Sequence, residues 1–257
     1  MRQPRTITPR PHGPLLQSAR RRPNARQGDL VYLLIGRSGL VGVTHSVMAR
    51  TRSGLFDRWS ASYDRPGFQD ATYRPVHDAV IARLAGARPS VVLDLGCGTG
   101  QLTLRLTERF PDAHVIGVDY SAGMLGAAAL RVGHRASLVR ADAHELPLRP
   151  ASVDVVVCTE SFHWYRDQAH VIAGLMTLMG PDGQLLIASI ASITDLGDSA
   201  VRRLSSVAGQ PIRALTPQRL GGLLTTAGFD VVHQRRVPRL GFVPWPAITD
   251  ARLRPTR

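Results

Sequence analysis

Val91-Val-Leu-Asp-Leu-Gly-Cys-Gly-Thr-Gly100 is the stretch on which the reading of this chain turns. Val91–Leu95 is apolar except for Asp94 and lacks the in–out alternation of a half-exposed strand, as expected of a parallel strand covered on both faces. Gly96, Gly98 and Gly100 follow at once, and Leu102, Leu106 and Phe110 then repeat at helical spacing up to Pro111. A strand, a glycine turn and a helix in that order let backbone pass close to a ligand at the strand's carboxyl end. A glycine-rich turn alone is a weak signal, so its neighbours decide what it holds.

Working outward, the chain alternates strands with helices. Val76, Val80, Ile81 and Leu84 predict an amphipathic helix before Gly86. Beyond the glycine turn, strands are expected at His114–Val118, Ser137–Arg140, Val153–Cys158, Gln184–Ile190 and Phe229–Arg236. Between them lie a helix capped by Ser121 and running to about Arg131, and a helix carrying Ile172, Leu175, Met176 and Met179 that Gly180-Pro181 should stop. A further helix has Thr216 as cap, Pro217 at its first position, Leu220, Leu223 and Leu224 inside, and Gly228 just beyond. The expected fold is α/β, a Rossmann-like doubly wound sheet with helices on both faces and right-handed crossovers.

Three carboxylates join the glycine turn in a fixed order. Asp119 ends the second of these strands, 21 residues after Gly98, where an acid can accept hydrogen bonds from ribose hydroxyls. Asp94 sits inside the end of the first strand; a dinucleotide has no use for a carboxylate there, whereas a cationic amino-acid ligand does. Asp142, in Ala141-Asp142-Ala143, follows the third strand and can accept from an adenine amino group.

With these residues the sequence resembles the class I S-adenosylmethionine-dependent methyltransferases, in particular the broad group of ubiquinone and menaquinone C-methyltransferases and trans-aconitate methyltransferase. The likeness covers about residues 53–236 and runs through Phe56-Asp-Arg-Trp-Ser-Ala-Ser-Tyr-Asp64, the glycine turn, Gly117-Val-Asp-Tyr-Ser121 with Met124, and Asp142-Ala-His-Glu-Leu-Pro147. It implies seven strands with the last antiparallel, and S-adenosyl-L-methionine as cofactor. It also implies that Gly96, Cys97 and Gly98 contact the methionyl part, that Tyr120 and Met124 pack on adenine, and that Asp142 with the Ala143 amide reads its edge. Asp119 would hold the ribose. Trp59, Tyr63 and Tyr73 are either core aromatics or, as the resemblance implies, part of a segment folded over the cofactor. The seventh strand is expected near Arg239–Val243, where it runs into Pro244 and Pro246, residues that a central strand does not tolerate.

The loop after the fourth strand reads Thr159-Glu160-Ser161-Phe162-His163-Trp164. It is expected to face the glycine turn across the cofactor, with Glu160 in the cofactor site and His163 as the candidate catalytic group. Histidine titrates near neutrality and could take a proton from a hydroxyl or orient a carboxylate; equally, His163 and Trp164 could form only the pocket wall. The Asn/Asp-Pro-Pro-Tyr loop used on exocyclic amines is absent, and the His-Trp pair resembles the branch acting on small-molecule carboxyls and hydroxyls. Cys158 lacks the preceding proline of cytosine C5-methyltransferases, having Val157 instead, and reads as a core thiol.

Composition narrows the chemistry. All 32 basic residues are arginine, and without lysine there can be no Walker A loop, no Schiff-base chemistry and no Tyr-x-x-x-Lys dehydrogenase. The formal net charge is +13, of which residues 1–50 contribute +8. That clustering argues against a nucleic-acid partner for the folded part, although it keeps an RNA or protein methyltransferase as the alternative to one acting on a small molecule. A non-catalytic S-adenosylmethionine-binding protein is the other alternative, and an NAD-dependent oxidoreductase is disfavoured by Asp94 and Asp142. Residues 1–50, where prolines alternate with arginines, are expected to be a disordered leader, with a true start near Met48; residues 51–257 form the methyltransferase domain. Arg20-Arg21-Arg22 only faintly resembles an export signal, because Arg37 interrupts the apolar stretch behind it. No apolar run is long enough to span a bilayer. Cys97 and Cys158 both read as buried thiols, so a cytoplasmic protein is expected.

Overall fold

A computed structural model describes residues 33–36, 39–43, 68–191, 212–238 and 245–255. Its centre is the stretch quoted above. Val91–Leu95 forms a strand, β3, buried along its whole length. It pairs in parallel with β4 (His114–Asp119) on one side and β6 (Val153–Thr159) on the other. β5 (Ser137–Arg140) lies beyond β4, and β7 (Met179–Ile190) lies beyond β6, again in parallel. The two halves of the sheet therefore diverge between β3 and β6, and that divergence is the switch point where an open α/β sheet binds its ligand.

Successive residues of each strand bury opposite faces. Val92, Val155, Val157 and Leu186 pack with Val80, Leu84, Leu106 and Leu125; Leu93, Leu95, Val156 and Leu185 pack with Val171, Leu175 and Leu224. The first face is covered by α1 (Phe68–Arg83), α2 (Gln101–Arg109) and α3 (Ala122–Val132). The second is covered by α4 (Gln168–Leu178) and α5 (Pro217–Thr226). Two covered faces explain why these strands read as continuous apolar runs. The helix starts follow their sequence signals: the Ser121 and Thr216 side chains accept from the Met124 and Arg219 amides, and Pro217 opens α5.

The last strand departs from expectation. It is β9 (Pro246–Leu253), not Arg239–Val243, and residues 239–244 lie outside the described residues. β9 is not at the edge: it runs antiparallel between β7 and β8 (Phe229–Arg236). Pro246 is tolerated because it is the first residue of the strand and need only accept, here from the Val237 amide at 2.8 Å. The buried Asp250 of β9 accepts from Arg83 Nε at 2.9 Å and from Gln184 Nε2 at 3.0 Å, so the strand carries a paired charge through its middle.

β7 begins five residues before the expected Gln184. Met179 pairs with Val153, but regular register resumes only at Val155 with Gln184, so Gly180–Gly183 form an irregular insertion with Asp182 in the left-handed region at φ 61°. Two short strands, β1 (Leu33–Gly36) and β2 (Gly39–Val43), lie within the segment that composition assigns to a leader, and β1 pairs antiparallel with β5. The sheet order is β2-β1-β5-β4-β3-β6-β7-β9-β8, seven expected strands extended at one edge by a hairpin.

Candidate active site

The turn from β3 into α2 carries the first part of the site. Its amides are engaged inside the protein: Gly96 and Cys97 both donate to the Val118 carbonyl, at 2.8 and 2.9 Å, and Gly98 donates to Asp119 Oδ2 at 2.9 Å. A phosphate-cradling turn needs outward N–H groups. This turn instead offers close backbone approach, and it suits a cation better than an anion. Gly98, at φ 54°, has nothing within 4 Å of where a Cβ would stand, so the open space of the site begins there. Gly96, at φ 72°, differs: a Cβ there would meet Ser161 Oγ at 2.3 Å. The loop after β6 thus packs directly onto the turn.

Asp94 points from β3 toward α2 and is 1 % exposed. Thr103 donates to its Oδ2 at 2.6 Å, while Oδ1 has no hydrogen-bond partner among the described residues. Burial pushes its carboxyl up to about 7, against the Thr103 hydrogen bond and helped by the nearby Asp119 charge. A buried, half-satisfied carboxylate is costly unless something cationic arrives. Asp119 ends β4 with Oδ2 on the Gly98 amide and Oδ1 on the Ser121 amide at 2.8 Å. Two amide bonds fix its orientation, and a carboxylate has lone pairs for further donors.

Asp142 stands on the turn after β5. Its Oδ1 accepts the His144 amide at 3.0 Å and His144 Nδ1 at 2.6 Å. Hydrogen bonds from His144, with the Arg166 charge nearby, hold its carboxyl below the ordinary range despite partial burial. Tyr120 and Ala143 are half-buried, and Met124 is buried at the start of α3.

At the other side of the switch point Glu160 adopts φ 52°, rare for a non-glycine residue and a frequent mark of functional loops. Its amide donates to Ala188 at 2.7 Å. Ser161 Oγ donates to the Leu95 carbonyl at 3.1 Å and lies 3.1 Å from both Tyr165 Oη and Cys158 Sγ. Burial raises the Cys158 thiol to about 12 and the Cys97 thiol well above its usual range, so neither is a thiolate at neutral pH. The His163 ring is 2 % exposed, with Nδ1 at 2.9 Å from Ser189 Oγ of β7. Ser189 in turn lines a small, narrow cleft with Phe162, Gln168, Arg213 and Leu215. Of the aromatic segment, Tyr73 stacks on His77 at 6.4 Å, whereas Trp59 and Tyr63 lie outside the described residues.

The expected residues of the two loops and of three strand ends thus all stand at the carboxyl ends of β3, β4, β5 and β6 or in the turns that follow them. Sequence reasoning missed Ser161 and Tyr165 as the packing partners of Gly96; their spacing of four, one helical turn, was the available signal. It also missed Thr103, the partner of Asp94, and the double engagement of His144.

Comparison with known proteins places the fold in a family. The methyltransferase-domain family matches residues 92–183, from β3 into β7. An uncharacterized methyltransferase of Geobacillus thermodenitrificans is 34 % identical over 151 residues, covering 56 % of this chain and 69 % of that protein. A trans-aconitate 2-methyltransferase of Yersinia pseudotuberculosis is 31 % identical over 139 residues, which cover 54 % of this chain and 52 % of the relative. The crystal structure of the N-methyltransferase NodS from Bradyrhizobium japonicum, in complex with S-adenosyl-L-homocysteine, superposes with a TM-score of 0.63 at 18 % identity over 78 % of this chain and 97 % of that one. The chain belongs to the class I methyltransferases. It is an S-adenosylmethionine-dependent enzyme, and the Asp94 oxygen left without a partner among the described residues and the open space at Gly98 fit such a cofactor.

Proposed function

We propose that the protein methylates a small-molecule acceptor through a hydroxyl, a carboxyl or an activated carbon. The observation that carries this reading is the loop after β6: His163 is held by Ser189 beside the cleft of Phe162, Gln168 and Arg213, and no Pro-Pro-Tyr platform for a flat exocyclic amine is present. Bound S-adenosylmethionine supplies an electrophilic methyl group on a sulfonium. The chain's own work is then to bind, orient and exclude water. Asp94, steadied by Thr103, takes the cationic amine together with backbone of Gly96, Cys97 and Gly98. Asp119 takes the ribose hydroxyls. Tyr120 and Met124 flank the adenine, whose edge Asp142 and the Ala143 amide read. Glu160 closes the methionyl end. The trans-aconitate relative supports a carboxylate acceptor, for which no base is needed.

In this reading His163 shapes the acceptor wall and takes no proton. His163→Gln should therefore raise the acceptor's KM while changing kcat less than about tenfold. A fall in kcat of roughly a hundredfold with an altered acid limb would make it the general base. The basic segment before β3 favours RNA or protein as a second acceptor class. Incubating the protein with methyl-labelled S-adenosylmethionine and a fractionated lysate separates the two. Label is expected in small molecules, and label confined to RNA or protein overturns the proposal. We propose a cytoplasmic location on the ground that both cysteines are buried free thiols.

A further inference from the structure

One imidazole joins two loops that approach the site from different strands. His144 Nδ1 bonds Asp142 Oδ1 at 2.6 Å on the turn after β5. On the far side of the ring, Nε2 accepts the Asp167 amide at 3.2 Å. An amide N–H can only donate, so Nε2 carries the lone pair and Nδ1 the proton, and a neutral ring satisfies both neighbours at once. Asp167 in turn caps α4, accepting the His170 amide at 2.9 Å. His170 Nε2 returns to the His144 carbonyl at 3.1 Å, and the two rings stack with centroids 6.0 Å apart. Tyr165 packs edge-on against His144 at 6.3 Å. The network closes on itself, and only 16 % of the His144 side chain is exposed.

Both bonds from His144 end on the same oxygen of Asp142. Two donors on Oδ1 fix the carboxylate's rotation and leave Oδ2 as the oxygen presented to a ligand. We propose that His144 is a positioning residue for purine recognition: by clamping Oδ1 from a ring itself held by Asp167, it aims Asp142 Oδ2 at the purine 6-position and so selects a 6-amino over a 6-oxo base. The inference rests on the reading that Asp142 faces the adenine edge. A 6-amino group donates to the aimed oxygen, whereas a 6-oxo group brings a second acceptor against it. A carboxylate free to turn would evade that repulsion through its other rotamers.

The test is the ratio of two affinities, which loss of stability alone does not change. Dissociation constants for S-adenosylhomocysteine and its 6-oxo analogue S-inosylhomocysteine are measured by calorimetry on the full chain, on His144→Asn, on His144→Gln and on Asp142→Asn. The wild type should prefer the adenosyl ligand by about tenfold or more. His144→Asn puts an amide N–H where Nδ1 stood and should keep most of the preference. His144→Gln reaches toward Asp167, abandons Asp142 and should fall to within about twofold of Asp142→Asn. If Gln keeps the wild-type ratio, or Asn loses it as fully as Gln, His144 does not aim Asp142 and the inference falls while the Asp142 reading stands. If the wild type shows no preference, Asp142 does not read the purine edge, and both fall together.

Discussion

Replacing Gly98 by alanine should separate folding from ligand binding, and Gly96 provides the internal contrast. Both glycines have positive φ, 54° and 72°. An L-residue there costs about 1–2 kcal/mol, part of which is returned by the stiffer unfolded chain. At Gly98 nothing further is added, because no atom lies within 4 Å of the new Cβ. The variant should lose about 1 kcal/mol, or roughly 2–4 °C in melting temperature for a domain of this size. At Gly96 the new Cβ would stand 2.3 Å from Ser161 Oγ and 2.4 Å from Ser161 Cβ. Ser161 must then move, breaking its hold on the Leu95 carbonyl, and overpacking adds about 1–3 kcal/mol to the conformational cost. Ligand binding should rank the opposite way to stability at Gly98. If S-adenosylhomocysteine passes over the open face of the turn, the alanine methyl occupies its path and weakens binding by about tenfold or more. Urea denaturation of the apo-protein and calorimetric titration give the two numbers for each variant. A Gly98→Ala protein that binds the ligand within about twofold of wild type would show that the cofactor does not lie against this turn.

Other perturbations have equally defined outcomes. Asp94 is raised by burial from 3.8 to about 7, so the folded state holds a proton that the unfolded chain releases between those values. Stability of the apo-protein should therefore fall as pH rises from 4 to 7, by up to roughly 4 kcal/mol, and Asp94→Asn should flatten that slope in denaturation curves taken across the range. Over the same range affinity for S-adenosylhomocysteine should rise in the wild type, as the carboxylate becomes able to meet the ammonium, and stay level in the variant. Arg83→Ala leaves the buried Asp250 with Gln184 as its remaining side-chain donor among the described residues and should cost about 3 kcal/mol, read as a lower urea midpoint at unchanged slope. A chain starting at Met48 loses β1, whose pairing with β5 involves only Leu34 with Val139 and Ile35 with Leu138. It should keep its ligand affinity and most of its melting temperature; aggregation would show that the hairpin is needed to cover the β5 edge.

What the sequence made legible is the part whose causes are local. Val91–Leu95 is apolar because both faces are covered, and Ser121, Thr216 and Pro217 mark helix starts because capping acts over three residues. Asp94, Gly96–Gly100, Asp119 and Asp142 fall along one edge of the sheet because each sits at the carboxyl end of a parallel strand or in the turn after it. β9 was placed wrongly because its partners are distant: Asp250 looks like a surface residue until Arg83, 167 positions earlier, and Gln184, 66 positions earlier, are brought beside it. Pro181, within the irregular start of β7, similarly reads as a terminator when the paired strand is unseen. The contacts of Gly96 with Ser161, of His163 with Ser189 and of His144 with Asp167 join segments no periodicity connects.

The placement of β9 has a dynamic consequence. β8 meets the sheet through β9, so the C-terminal hairpin is inserted in the reverse of its chain order, with the later strand inside and the earlier one outside. An outer strand cannot outlast the strand it hangs on. In amide exchange, protection along β8 should never exceed that along β9, and the two should open as one cooperative unit while the strands around Gly96 stay closed. Arg83 and Gln184 then act as the latch of that unit, fastening from outside the hairpin a flap whose loosening leaves the ligand end of β3 and β4 intact.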